Sequence, residues 1–136
     1  LEDAAERKKV KFEFLGESTK ITGVKQIVFE MIYNVCDNAV KYNKENGSVK
    51  IELSNLENKA VVKVTDTGIG IPYDHQGRVF ERFYRVDKAR SRAMGGTGLG
   101  LAIAKAIVNA HHGHIAVYCN NGLVEFRVEL PAAKEK

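Results

Sequence analysis

Five polar side chains recur at helical spacing in the first third of this sequence. On a wheel of about 100° per residue, Glu30, Asn34, Asp37, Asn38 and Lys41 fall in one arc of roughly 100°. Val28, Phe29, Met31, Ile32, Val35, Cys36, Ala39 and Val40 fill the opposite, wider arc. A helix apolar around so much of its circumference is largely buried, so the polar stripe should face something other than bulk water. Asn34 offers a neutral amide oxygen to a hard cation such as magnesium. Lys41 offers a compact positive charge to phosphate. Glu30, one turn before Asn34, could orient water or accept a proton. Tyr42 at the helix end is a flat surface for a base. The alternative is a solvated helix face, but such faces are normally built from Glu and Lys, and two asparagines cost helix propensity.

Two glycine-rich segments follow. Asp66 ends an apolar run and leads into Thr67-Gly68-Ile69-Gly70-Ile71-Pro72. Gly68 and Gly70 can take positive φ and carry no side chain, so a flat ring can approach the backbone. The Asp66 carboxylate only accepts hydrogen bonds. It suits the exocyclic amine of adenine and opposes guanine, which has a carbonyl there; a bare turn is the other reading of these residues alone. Farther on, Gly95-Gly96-Thr97-Gly98-Leu99-Gly100-Leu101-Ala102 opens a second helix. Its free N–H groups and dipole make an anion site, and Gly98 and Gly100 let phosphate oxygens come close. A Walker loop is excluded because the chain has no Gly-Lys pair. The dinucleotide fingerprint needs a preceding strand, where this chain has an irregular polar segment.

The elements that must carry these groups follow from periodicity and turn residues. The pattern predicts a strand over 9–14, turn-rich chain over 16–23, and a helix over 24–42 ended by Asn43 and the Asn46-Gly47 turn. Strands at 49–53 and 60–65 flank a polar turn at 56–59. The stretch 66–98 is mostly irregular, with a short helix near 78–83; so long a segment is usually a lid or binding loop. A helix over 99–110 precedes strands at 115–119 and 124–130, joined through Asn120-Asn121-Gly122. The expected fold is a two-layer α/β sandwich: about five strands in a mixed, mainly antiparallel sheet, with helices on one face and a flexible lid. Residues 1–9 read as a linker or the end of a helix, 10–131 as the domain, and 132–136 as a tail. His111, His112 and His114 suggest a metal site, but Gly113 interrupts them, and a helix C-cap and turn fits better.

Composition sets wider limits. The 136 residues fit one domain, with 44% hydrophobic and 28% charged residues. No apolar run approaches the roughly 18 residues of a membrane helix. The start at Leu1-Glu2-Asp3 reads as a fragment of a longer protein. Cys36 and Cys119 read as two buried thiols in a reducing compartment. The net charge of +4 could suit nucleic acid, but it is spread thinly rather than clustered with aromatics; it also suits a phosphate-rich small ligand, and charge alone decides nothing.

In their order, these pieces resemble the boxes of the histidine-kinase branch of the GHKL ATPases (gyrase, heat-shock chaperone, histidine kinase, MutL). Asn34-x-x-x-Asn38-Ala39-x-Lys41-Tyr42 is similar to the N box, and Asp66-x-Gly68-x-Gly70-Ile71-Pro72 to the G1 box. Phe80-Glu81-Arg82-Phe83-Tyr84-Arg85 is similar to the F box, and Gly96-Thr97-Gly98-Leu99-Gly100-Leu101-Ala102 to the G2 box. The F box separates this branch from the gyrase and chaperone types.

The resemblance implies Mg²⁺ on Asn34, phosphate support from Asn38, and phosphate contacts from Lys41 and Arg85. It implies Tyr42 packed on adenine, and Asp66 on the adenine amine within the loop of Gly68, Gly70 and Ile71. Gly96, Thr97, Gly98, Leu99, Gly100 and Leu101 would line the triphosphate. Glu30 would accept a proton, while Phe80 and Phe83 would pin the lid to the core. The implied activity is ATP-dependent phosphorylation of a histidine on a separate dimerisation domain, with a response regulator downstream. None of His75, His111, His112 or His114 has the acidic-Leu-Arg-Pro context of that acceptor. The implied setting is a monomeric cytoplasmic domain of a membrane-anchored parent. A GHKL ATPase or an ATP-binding module without kinase output is the alternative.

Overall fold

The computed structural model describes residues 11–16, 25–41, 43, 46–67, 70, 76–82, 99–120 and 122–131. Strict alternation over the last of these ranges buries Val124, Phe126, Val128 and Leu130, and makes β5 (Leu123–Pro131) a strand with one covered face. It lies inside a five-stranded sheet with β1 (Lys11–Gly16), β2 (Ser48–Leu56), β3 (Lys59–Asp66) and β4 (His114–Asn120), in the order β1-β2-β3-β5-β4. Only the β1–β2 pair is parallel; the rest are antiparallel. Parallel neighbours need a crossover, and the helix α1 (Lys25–Lys41) lies between them in sequence. A second helix, α2 (Gly100–Ala110), packs beside α1 and over β4 and β5.

Both helices sit on the same side. Their buried residues Met31, Val35, Ala39, Val40, Ala104 and Val108 join Val49, Val62, Val64 and the β5 residues in one core. The opposite sheet face carries ion pairs such as Lys50–Glu52 at 3.2 Å and Arg127–Glu125 at 3.0 Å. The mixed sheet and one-sided helical layer are as expected from the sequence.

Four expectations need correction. Gly16 belongs to β1 rather than to a turn: it pairs with Leu53, and a Cβ there would run into the Leu53 backbone, so only glycine fits. The β2–β3 turn is shorter than 56–59, because Glu57 and Asn58 both take positive φ (51° and 65°) and the ladder continues to Leu56↔Lys59. Residues 78–82 form turns rather than a helix, closed by Glu81 N–H donating to the Arg78 carbonyl at 3.0 Å. Finally, the apolar arc of α1 is not all core: Met31, Val35, Cys36, Ala39 and Val40 are buried and Val28 and Ile32 pack partly against them, but Phe29 is 68% exposed.

The C-terminus of α2 is built from the histidines. Amides of His112 and Gly113 donate to the Asn109 and Val108 carbonyls, and His112 takes a φ of 60°. Among the described residues no group of three His, Cys, Asp or Glu is arranged to hold a metal ion. Cys36 is buried, whereas Cys119 is only half covered because β4 is an edge strand.

Candidate nucleotide site

Period-two alternation puts Asp66 on the same face of β3 as buried Ala60, Val62 and Val64, so the last rung of the strand carries a carboxylate toward the helices. It is only 4% exposed and lies in register with Val49 and Val124. An ionisable group at a core position demands polar company, which marks the strand end as a site. Gly70 has a φ of +87°, and a Cβ there would meet nothing within 4 Å. Glycine is therefore needed for its backbone angle, not for space.

Helix α1 lies against both β3 and α2, and Asn34 of its polar stripe meets the start of α2. There, a Cβ placed on Gly100 would sit 3.6 Å from the Asn34 side-chain oxygen. The other end of that amide, Nδ2, is buried and has no hydrogen-bond partner among the described residues. Such a group costs about 1–3 kcal/mol unless something satisfies it. Helix α2 itself begins without a side-chain cap at Leu99 and without an acidic residue in its first turn, so no carboxylate of the turn offsets its N-terminal field. Leu101, half buried, anchors this first turn to the core.

Other stripe residues are arranged less simply. Lys41 lies 2.9 Å from the Asp37 carboxylate one turn back, with both side chains partly shielded. Its charge is held over the stripe rather than left to wander. The i,i+4 spacing of this pair was visible in the sequence, yet Asp37 drew no role there. Asn38 is half buried, and Glu30 is exposed. Neighbouring Cys36 has its thiol pushed up from 9.0 to about 11 by burial and, secondarily, by the Asp37 carboxylate. It is not a nucleophile at neutral pH.

The segment after β3 is anchored by Phe80, whose ring meets Phe126 edge-on at 6.2 Å, with the Lys105 ammonium 5.8 Å from the Phe80 centroid. Val79 beside it is buried. Tyr42, Gly68, Ile71, Phe83, Arg85, Gly96, Thr97 and Gly98 lie outside the described residues, as do segments 1–9, 83–98 and 132–136.

Comparison with known proteins agrees with this geometry. Residues 23–134 match the model of the histidine kinase-, DNA gyrase B- and HSP90-like ATPase family. The sensor histidine kinase RppB of Synechocystis sp. is 45% identical over 105 residues, which is 76% of this chain and 23% of RppB. The chain thus spans about a quarter of that curated relative's length. The mycobacterial sensor histidine kinase MprB superposes with a TM-score of 0.84 at 32% identity, over 96% of this chain and 90% of that one. Full-length ShkA, crystallised in complex with AMPPNP, gives a TM-score of 0.84 at 28% identity, over 98% of this chain and 28% of its own. A match over most of the length, on a fold of the same architecture, shows that the chain belongs to the histidine kinase-, DNA gyrase B- and HSP90-like ATPase family.

Proposed function

We propose that this domain binds Mg·ATP among α1, the end of β3 and the start of α2, and passes the γ-phosphoryl to a histidine on a dimerisation domain of the same parent protein. The observation that carries the reading is the Asn34 amide beside the N-terminus of α2, its Nδ2 buried and unpaired among the described residues. An amide so placed can give its NH₂ to a phosphate oxygen, since no described residue pairs with Nδ2, and leave its oxygen for a hard cation. One neutral amide oxygen fits Mg²⁺, which takes few protein oxygens and keeps phosphate and water ligands. The ion, when bound, neutralises charge on the phosphates.

The chain's own residues would do the rest. Asp66 accepts from the adenine amine, in the loop of Gly68, Gly70 and Ile71, with Tyr42 against the ring. Asn38, Lys41 and Arg85 meet the phosphates, and the amides from Gly96 through Thr97, Gly98, Leu99 and Gly100 to Leu101 receive the triphosphate at the helix N-terminus. A nitrogen of the incoming histidine attacks the γ-phosphorus, and the bond to the β-phosphate oxygen breaks with its electron pair going to ADP. Glu30, exposed one turn before Asn34, takes the imidazole proton. Positioning and charge neutralisation supply nearly all of the acceleration in such a transfer. The AMPPNP complex of ShkA and the kinase relatives support the reading. In the same reading, the domain is a cytoplasmic monomer of a membrane-anchored sensor, and a response regulator takes the phosphoryl group next. Among the described residues, no helix is long and apolar enough to cross a membrane.

The test is a thermal melt with Mg·ATP, Mg·GTP and no nucleotide. ATP at about 100 times its dissociation constant should stabilise by roughly 2.7 kcal/mol, and GTP should not. Transfer of labelled phosphoryl from ATP to a separately added histidine-bearing hairpin of the parent then tests the kinase step. No shift with any nucleotide at millimolar concentration refutes the binding site. Binding without transfer refutes the kinase step alone.

A further inference from the structure

Three segments meet where α1 ends, and one side chain ties them. Asn43 follows α1 closely, its N–H donating to the Val40 carbonyl at 3.2 Å, and it is only 2% exposed. Its Nδ2 donates to the Ser48 carbonyl at 3.0 Å, at the first residue of β2. Its Oδ1 accepts from the Thr67 hydroxyl at 3.0 Å. That hydroxyl in turn accepts from the Ser48 N–H at 2.9 Å, and the Thr67 N–H donates to the Ser48 carbonyl at 3.2 Å. Both backbone groups of Ser48 and both roles of the Thr67 hydroxyl are thereby used.

Thr67 is the residue immediately after Asp66, and α1 carries Asn34, Asn38 and Lys41. A closed ring of hydrogen bonds therefore fixes the end of β3, which bears the carboxylate, against the end of the helix that bears the amides and the lysine. We infer that Asn43 is a positioning residue that sets the separation between the purine end and the phosphate end of the nucleotide site. The inference rests on the assignment of Asp66 to adenine and of α1 to the phosphates. A buried amide is suited to this duty: it donates and accepts at once, with a rigid angle between the two bonds, and both bonds are sheltered from competing water. An alanine would leave the Thr67 hydroxyl bonded to Ser48 but would remove the hydrogen bond that joins Thr67 to the end of the helix.

A spacer between two subsites has a signature that general destabilisation lacks. A ligand spanning both ends loses affinity, while a ligand of either end alone does not, because the advantage of joining two binding events depends on their geometry. The experiment compares wild type with Asn43→Ala and Thr67→Val for three ligands: ATP, adenosine and inorganic triphosphate, measured by competition against a fluorescent ATP analogue. The expected result is ATP binding weakened about tenfold in both variants, the size of one net hydrogen bond, with adenosine and triphosphate each within about twofold of wild type. Thr67→Ser, which keeps the hydroxyl, should restore ATP binding. If Asn43→Ala does not fold, the Val and Ser pair decides. Equal losses for all three ligands, or ATP binding unchanged in folded variants, overturns the inference while leaving the site reading intact. Failure of the wild type to bind ATP overturns both.

Discussion

Replacing Asn34 by leucine should make the domain more stable and at the same time blind to nucleotide. The two side chains are close in shape, so the change leaves the contact with α2 filled. What it removes is a buried Nδ2 without a partner. Relieving such a group is worth about 1–2 kcal/mol, from the lower part of the range for unsatisfied buried donors. For a domain of this size, each kcal/mol moves Tm by roughly 3–5 °C, so the nucleotide-free variant should melt about 3–10 °C above wild type. The approximately 2.7 kcal/mol that ATP adds at 100 times its dissociation constant should vanish. Calorimetric melts of both proteins, with and without Mg·ATP and with EDTA, read both effects in one series. An apo Tm that falls would mean the amide is satisfied within the fold. A nucleotide shift that survives with its magnesium dependence would mean Asn34 lies outside the site. Either result refutes the reasoning.

Three further outcomes follow from the same geometry. Gly100→Ala puts a methyl at an ordinary contact distance of 3.6 Å from the Asn34 oxygen. It should fold as well as wild type or better, since alanine exceeds glycine in a helix by about 1 kcal/mol, yet bind ATP more weakly, as titration calorimetry would show. Asp66→Asn removes a charged acceptor from a position only 4% exposed. It should weaken ATP by about 10- to 150-fold, the equivalent of 1.5–3 kcal/mol, and narrow the ATP-over-GTP preference measured by competition. Cys36 favours its neutral thiol in the folded state, with its pKa raised from 9.0 to about 11. Its contribution is therefore complete below pH 9 and is lost as pH rises through 11, an effect on the order of 2–3 kcal/mol. Urea melts at pH 8 and 11 should show that loss in wild type and a correspondingly smaller one in Cys36→Ala.

Much of the architecture could be read from local pattern, because helices and hairpins are local objects. The alternation of β5, the polar stripe of α1 and the Asp66 strand end all emerge from spacing alone. The features that escaped are relations between distant residues. Gly16 looks like a turn until Leu53 is seen beside it. Phe29 looks like core from its place on the helix wheel, yet it lies 68% exposed. The Asn43–Thr67 bond joins residues from different elements, and an asparagine after a helix looks like a terminator. Residues 78–82 carry helix-compatible side chains, but burial of Val79 and the Phe80–Phe126 contact select a turn there. In each case tertiary packing overrode a local preference that was reasonable on its own terms.

The position of β5 has a consequence for how the chain is made. It comes last among the described strands, yet it lies between β3 and β4 rather than at an edge. While the polypeptide emerges from the ribosome, β3 waits with one hydrogen-bonding edge unpaired. At 5–20 residues per second, the interval from the end of β3 to the end of β5 is roughly 3–13 s. During that interval the exposed strand edge is open to pairing with other nascent chains. The strand that joins β3 to β4 is thus made last among those described, and a truncation before it leaves both without their shared neighbour.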